Sequence, residues 1–212
     1  MELPEALLQL SDDEKGYLLQ QRTDLVSTDD LEMLQQFRVH LARAVERMRV
    51  FLPVLEGRGR FLDIGCGLGF GLLALKEVYG GEHSYCGLDK NGFDEEIQYG
   101  FKKKPEVYND LECMRAVLEK NGIPSENIQS VDISAQEFPE GPFDVVSSHI
   151  AWGWHFPVAA YLDQVEAVTR PGTVIYMDIR HGTNGVAEMA KRFQLIWANE
   201  KKKGVRTMWR VN

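Results

Sequence analysis

Only three cysteines occur in the 212 residues, Cys66, Cys86 and Cys113, an odd number with no CxxC pair among them. That spacing argues against a disulfide framework or a cysteine-built metal site, and it predicts reduced thiols in a cytoplasmic protein. No apolar run approaches the roughly 18 residues of a bilayer-crossing helix, so no membrane association is expected. The opening MELPEALLQLSDDE is acidic where a secretory leader would be basic. Positive charge is also short: 24 Lys and Arg against 32 Asp and Glu leave a formal charge of −8. A negative field opposes a phosphate polymer, so nucleic acid is not an expected partner. Repeats and low-complexity segments are missing. What remains is the composition of an ordinary globular chain, long enough for one domain and an added segment.

Two capping-box patterns, Ser11 with Glu14 and Asp29 with Glu32, predict helices in residues 1–56. The second opens a long helix whose apolar positions Leu31, Leu34, Phe37, Leu41, Val45, Met48 and Leu52 recur at three- and four-residue steps. This segment reads as a cover for a sheet face, with a lid over a ligand or a homodimer interface as alternatives. From residue 57 to 212 the pattern changes. Short apolar runs at Arg60–Ile64, 84–88, 127–132, Phe143–Ser148 and 173–179 alternate with helical stretches at 71–78, 107–120 and 158–169. Strands alternating with helices predict an α/β fold with a doubly wound, mostly parallel sheet. Two β-rich runs at 194–199 and 205–211, split by a charged turn with lysines at 201–203, predict a closing hairpin and an antiparallel last strand.

The stretch RFLDIGCGLGFGLLAL, residues 60–75, is the most informative. A strand ends near Asp63, glycines follow at 65, 67, 69 and 71, and an apolar helix begins. Such a loop brings the helix's free N–H groups to a ligand above the carboxyl ends of the strands. Neither frame of a GxGxxG dinucleotide fingerprint fits, since Phe70 or Leu72 falls where the last glycine belongs, and no Gly-Lys-Ser/Thr follows. GxGxG after Asp63 suits a cationic ligand better than a pyrophosphate, and S-adenosylmethionine, with its ammonium and sulfonium, is the expected cofactor. Gly65, Cys66, Gly67 and Gly69 are its candidate loop contacts. The second strand ends YCGLDK, placing Asp89 twenty-six residues after Asp63. A carboxylate there, beside Lys90, can accept both ribose hydroxyls. NIQSVDIS ends the third strand with Asp132 and Ile133, an acid for the adenine amino group and an apolar border for its ring.

These motifs resemble the class I S-adenosylmethionine-dependent methyltransferases. DIGCGLGFG is similar to their first motif, GLDK to the second-strand acid, VDIS to the adenine-edge acid, FDVVSSHIAWGWHF to the fourth-strand motif and RPGTVIYMD to the fifth strand. The resemblance implies a Rossmann-like seven-stranded sheet with its last strand antiparallel, and it places Ser148 at the cofactor. The insert 97–128 and the stretch AWGWHFPVAAYLDQV are similar to bacterial proteins described as sugar O-methyltransferases. That implies a small-molecule hydroxyl acceptor, a sugar or nucleotide-sugar. Methylation of a small amine and a non-catalytic partner subunit stay open as alternatives, although Ser147-Ser148-His149 is not the Asn/Asp-Pro-Pro-Tyr strand end of many N-methyltransferases.

A hydroxyl acceptor needs a base, and imidazole titrates near neutrality. His155 is the first candidate and His149, closer to the strand end, the second. Trp152, Trp154 and Tyr108 are candidate acceptor walls, joined by Phe156, Tyr99 and Phe101, since aromatic faces stack on sugar C–H surfaces. His181, near Asp178 and Arg180, is a further candidate for acceptor binding. Lysines 102–104 read as a solvated face, with a phosphate contact as the alternative. No metal is expected, because Asp178 and His181 lack a convincing third ligand.

Overall fold

The computed structural model describes residues 30–94, 98–99, 102–103 and 106–212, with side chains at position 39, at 41–92 and at 109–212. The Ser11–Glu14 pattern and the side chains of Tyr99, Phe101, Tyr108 and lysines 102–104 lie outside the described residues.

Helix α1 (Asp30–Arg49) precedes strand β1 (Arg60–Ile64), helix α2 (Phe70–Tyr79) and strand β2 (Ser84–Asp89). The insert contributes β3 (Gly92–Asp94) paired antiparallel with β6 (Glu106–Asn109), and a small ladder of β4 (Gln98–Tyr99) with β5 (Lys102–Lys103). Then come α3 (Leu111–Lys120), β7 (Ile128–Asp132), β8 (Phe143–Ser148), α4 (Leu162–Ala167), β9 (Thr169–Arg180), α5 (Gly185–Ala190), β10 (Gln194–Lys201) and β11 (Gly204–Arg210). The main sheet has seven strands in the order β10-β11-β9-β8-β1-β2-β7. β1 pairs parallel with β2 and β8, while β11 runs antiparallel to both β9 and β10. This is the doubly wound sheet with an antiparallel last strand that the alternation predicts.

Two apolar clusters cover the two sheet faces. Phe61, Tyr85, Val145 and Tyr176 meet Leu72 and Leu75 of α2, Met114 and Leu118 of α3, and Leu41, Val45 and Met48 of α1. Leu62, Ile64, Val146, Ile175 and Met177 form the opposite face with Trp152, Val165, Met189 and Trp209. The second half of the α1 stripe therefore covers the sheet, and each such fully buried side chain contributes roughly 1.5–3 kcal/mol.

Two helix expectations need correction. Residues 107–109 are strand, and the helix starts only at Leu111, because Asp110 accepts N–H bonds from Glu112 and Cys113, both 3.0 Å, and so caps it there. The 158–169 stretch breaks into one 3₁₀ turn at Val158–Ala160 and the short α4, since Thr169 already pairs with Phe143 as strand. Helix α5 has no counterpart in the sequence pattern.

Candidate functional site

The glycine loop joins β1 to α2 and is bound to its neighbours by its own backbone. Gly65 and Cys66 both donate to the carbonyl of Leu88, at 2.7 and 3.2 Å, Gly67 donates to Asp89 Oδ2 at 2.9 Å, and Gly69 to the carbonyl of Cys66 at 2.8 Å. At Gly65 (φ +71°) a Cβ would stand 2.1 Å from that of Ala151, so only glycine lets the chain leaving β8 close over the loop. Gly71 opens α2 against Asp63, whose Oδ2 would lie 2.5 Å from an added Cβ. The Cys66 side chain is buried and its thiol is pushed well above its ordinary pKa by burial, then by Asp89 and Asp63. It packs in the core cluster.

The three strand-end acids differ in what they do. Asp63 is 2% exposed, and its carboxylate accepts from Ser147 Oγ at 2.7 Å and from the Gly71 amide. The expectation that it meets a cation by direct contact is therefore corrected: it sits beneath the loop, where burial raises its pKa to about 7 despite the Ser147 bond, with Asp89 adding to the rise. Asp89 lines the cleft. Its oxygens accept from the amides of Gly67 at 2.9 Å and Lys90 at 2.8 Å, and burial lifts its pKa to about 6 against those bonds. Asp132 faces outward and closes its own turn, accepting from Ser134 Oγ (2.5 Å), the Ser134 amide (2.9 Å) and the Asn91 amide (3.3 Å). The Ser134 hydroxyl, chiefly, holds its carboxyl below the usual range. The Ile133 amide is spent on the carbonyl of Asp89, but its side chain lines the cleft.

That cleft runs above the carboxyl edge of β1 and β2, between Ile64, Gly65, Asp89 and Ile133 on one side and Ala151, Trp152, Phe156 and Tyr161 on the other. Tyr161 is absent from the expected set. It lines the same cleft as Asp89, and its phenol is raised in pKa by burial and then by that carboxylate. Its only sequence signal is an aromatic residue in the segment returning from β8. An apolar slot with the Asp89 carboxylate in its lining, beside Gly65 where no Cβ fits, suits a planar base and the hydroxyls of a ribose.

The turn after β8 decides the remaining candidates. Ser148 is fully buried; its Oγ donates to the carbonyl of Ile64 at 2.8 Å and accepts from the Trp152 amide at 2.9 Å. Both bonds are internal, so Ser148 pins the turn and the expected cofactor contact is not made by its side chain. Ile150 takes φ 59°, uncommon for a β-branched residue, and this sharp reversal returns Ala151 to the glycine loop. Trp152 is buried, with Nε1 donating to the carbonyl of Val158 at 2.8 Å, so it walls the cleft as core and offers no free stacking face. Trp154 lies against the far hairpin, where a Cβ on Gly204 would be 2.3 Å from its ring. His155 is only partly covered and lies outside the cleft lining, and that partial burial, followed by the Arg180 guanidinium, lowers its pKa. His181, just past β9, turns onto the β10–β11 hairpin, with Nε2 3.0 Å from the carbonyl of Lys201 and 3.4 Å from Glu200. Asp178 is held bidentately by Arg206 at 2.7 and 2.8 Å, which leaves no Asp178–His181 pair.

His149, by contrast, stands at the tip of β8. Its ring meets Phe70, the first residue of α2, edge-on at 5.5 Å and Tyr176 of β9 at 5.1 Å. Phe70 and Tyr176 are partners that sequence spacing does not reveal, because the start of α2 and the neighbouring strand β9 meet the tip of β8 only in the fold. The structure thus joins Gly65, Asp89, Lys90 and Ile133 around one cleft, with Gly67 bonded to Asp89, the Cys66 side chain packed in the core and His149 beyond the loop, and it separates Trp154, His155 and His181 from them. Among the described residues no His, Cys, Asp and Glu cluster could hold a metal ion, and no helix is long and apolar enough to cross a membrane.

A family model described as a methyltransferase domain matches residues 33–210. No curated protein sequence matches the chain. Among solved structures, the O-methyltransferase TomG of Streptomyces achromogenes, crystallised with S-adenosylmethionine, shares 15% identity over 100% of this chain and 92% of its own, with TM-score 0.54. An S-adenosylmethionine-dependent methyltransferase of Mesorhizobium loti shares 17% identity over 80% and 99% of the two chains, TM-score 0.54. A geranyl diphosphate methyltransferase shares 11% over 89% and 85%, TM-score 0.60. At such identities these likenesses concern the fold.

Proposed function

Because the chain belongs to the methyltransferase-domain family, with S-adenosylmethionine as its cofactor, we propose that it methylates a hydroxyl group of a small molecule, a sugar or nucleotide-sugar. The observation that carries the hydroxyl is His149, an imidazole at the tip of β8 set edge-on between Phe70 and Tyr176. When bound, the cofactor supplies a methyl group on a sulfonium, an electrophile that asks little of the protein beyond alignment. A hydroxyl asks more, since it attacks well only as its proton leaves, and a positioned base contributes about 10²–10⁴-fold.

In this reading His149 takes that proton. The buried ring of Tyr176 shields the imidazole from water on one side, and the partly exposed ring of Phe70 offers an apolar surface to the acceptor. Arg206, fixed by Asp178, stands 5.8 Å from the centroid of the Tyr176 ring and steadies it. On the other side of the loop, Asp89 accepts from ribose hydroxyls and Ile133 borders the base, while Gly65, Gly67 and Gly69 bring backbone close to the ligand and Asp132 shapes the adjoining turn. The net charge of −8 supports a small acceptor over a nucleic acid.

The test is transfer to a panel of nucleotide-sugars and small amines, followed as S-adenosylhomocysteine release. Expected is transfer to a sugar hydroxyl that falls on the order of 10²–10⁴-fold in His149→Ala, with S-adenosylhomocysteine affinity unchanged, while His155→Ala retains turnover. Transfer to an amine that ignores His149→Ala would establish N-methylation instead. Loss of activity only in His155→Ala would return the base to that position.

A further inference from the structure

Resting on the cofactor reading above, we propose that Asp63 makes the site prefer the sulfonium cofactor to its neutral thioether product, acting through the glycine loop without touching the ligand. Filling the site with the cationic form then expels a proton from this carboxylate.

The argument starts from burial. Asp63 is 2% exposed at the carboxyl end of β1, and the first turn of α2 rests on it so closely that a Cβ on Gly71 would meet both carboxylate oxygens, at 2.5 and 2.7 Å. Each element packed around it contributes a defined group. β8 offers the Ser147 hydroxyl, α2 the Gly71 amide, β2 the carboxylate of Asp89, and the loop the neutral thiol of Cys66. Two of these donate hydrogen bonds, one is a like charge, and none is a cation. A carboxylate taken out of water without a counter-charge favours its protonated form, and the pKa of about 7 follows chiefly from that burial. Gly65 and Gly67 of the intervening loop reach the cleft edge, where Gly65 is part of the lining and Gly67 bonds to Asp89. A positive ligand in the cleft therefore supplies the charge that the protein withholds. It lowers the Asp63 pKa in the complex, and one unit of lowering corresponds to tenfold in affinity.

The sign follows from linkage. Because the complex holds Asp63 ionised at lower pH than the empty protein does, affinity for the cation rises with pH and levels off above about 7. The thioether product shares the ribose, the base and the amino-acid tail. The cation's charge also acts on Asp89, which lines the cleft and is itself raised, so the share belonging to Asp63 is the part that disappears when Asp63 is made neutral.

The experiment is calorimetry of the full chain with S-adenosylmethionine and S-adenosylhomocysteine from pH 5.5 to 8.5, in paired buffers of different ionisation enthalpy. At pH 7 the first ligand is expected to release on the order of half a proton more than the second, and its relative affinity to rise about tenfold across the range. Asp63→Asn is expected to reduce both differences to the share of Asp89 and of the ligands' own amino groups, which persists in the variant and so is subtracted. Should that variant fail to fold, Ser147→Ala carries the test. It removes the bond that favours the ionised form, so the midpoint of the affinity change moves to higher pH. Equal proton release for the two ligands, a difference undiminished in Asp63→Asn, or a midpoint unmoved by Ser147→Ala overturns the proposal while leaving the cofactor reading intact. No binding of either ligand overturns the cofactor reading itself, and this inference with it.

Discussion

Replacing Asp89 by Ala separates holding the loop from holding the ligand. The carboxylate accepts the Gly67 amide at 2.9 Å and the Lys90 amide at 2.8 Å while only 8% of the residue is exposed. Its loss leaves those N–H groups without an acceptor, at a cost of about 1–3 kcal/mol if they stay dry. Against this stands the charge itself. Burial lifts the folded-state pKa to about 6 from 3.8. A raised acid contributes stability fully below its unfolded value, and that contribution is lost as pH rises through about 6. Above pH 7 the ionised group thus costs the fold about 3 kcal/mol, at roughly 1.4 kcal/mol per unit.

The two terms nearly cancel at pH 8, so urea unfolding there should find Asp89→Ala within about 1 kcal/mol of the natural chain, and less stable than it at pH 5. Cofactor binding has no such compensation. The bonds to ribose are charge-assisted, and their loss should weaken S-adenosylhomocysteine on the order of 1.5–3 kcal/mol, roughly ten- to a hundredfold, by calorimetry at pH 8. Unchanged affinity in a folded variant would refute the assignment of Asp89 to the ribose. Affinity lost only in proportion to unfolding would make the residue a loop brace and nothing more.

Other consequences follow from the same buried polar groups. For the ligand-free protein, Asp63 with a folded pKa near 7 and an unfolded one of 3.8 contributes stability that is lost as pH rises. Between pH 5 and pH 7 that loss is about 2.3 kcal/mol in urea unfolding, and the slope should be absent in Asp63→Asn; parallel slopes would show that the residue is already ionised at pH 5. Ser148→Ala strands the carbonyl of Ile64 and the Trp152 amide, so it should lower stability by about 1–3 kcal/mol. Calorimetry of that variant at a temperature where it is folded should find S-adenosylhomocysteine affinity nearly unchanged, because the hydroxyl holds the turn; a selective loss of affinity would restore Ser148 as a ligand contact.

Much of the architecture is readable from local pattern. Glycines at 65, 67 and 69 between an apolar strand and an apolar helix announce the loop, and β-rich runs around the lysines at 201–203 announce the hairpin, because both signals lie within a few neighbouring residues. Asp110 could have been read as a cap as well, which would have ended the overlong helix at 107–120. Side-chain direction is another matter. His149 and His155 are six positions apart on one loop, and nothing in their spacing tells which faces Phe70 and Tyr176. Trp152 and Trp154 look equivalent along the chain, yet one is buried behind the cleft and the other rests on Gly204.

By itself, then, the amino-acid order determined which strands run side by side in sequence, where the ligand loop falls and which acids stand at strand ends. Those features depend on periodicity, glycine and the alternation of strand with helix, all properties of short stretches of chain. Tertiary structure alone decided that Asp63 lies under the loop and Asp89 at the cleft, that Ser148 is consumed by Ile64 and Trp152, and that the histidine facing aromatic walls is His149. Burial and hydrogen-bond satisfaction set those outcomes, and both depend on which residues β8, β9 and α2 bring together from distant parts of the chain.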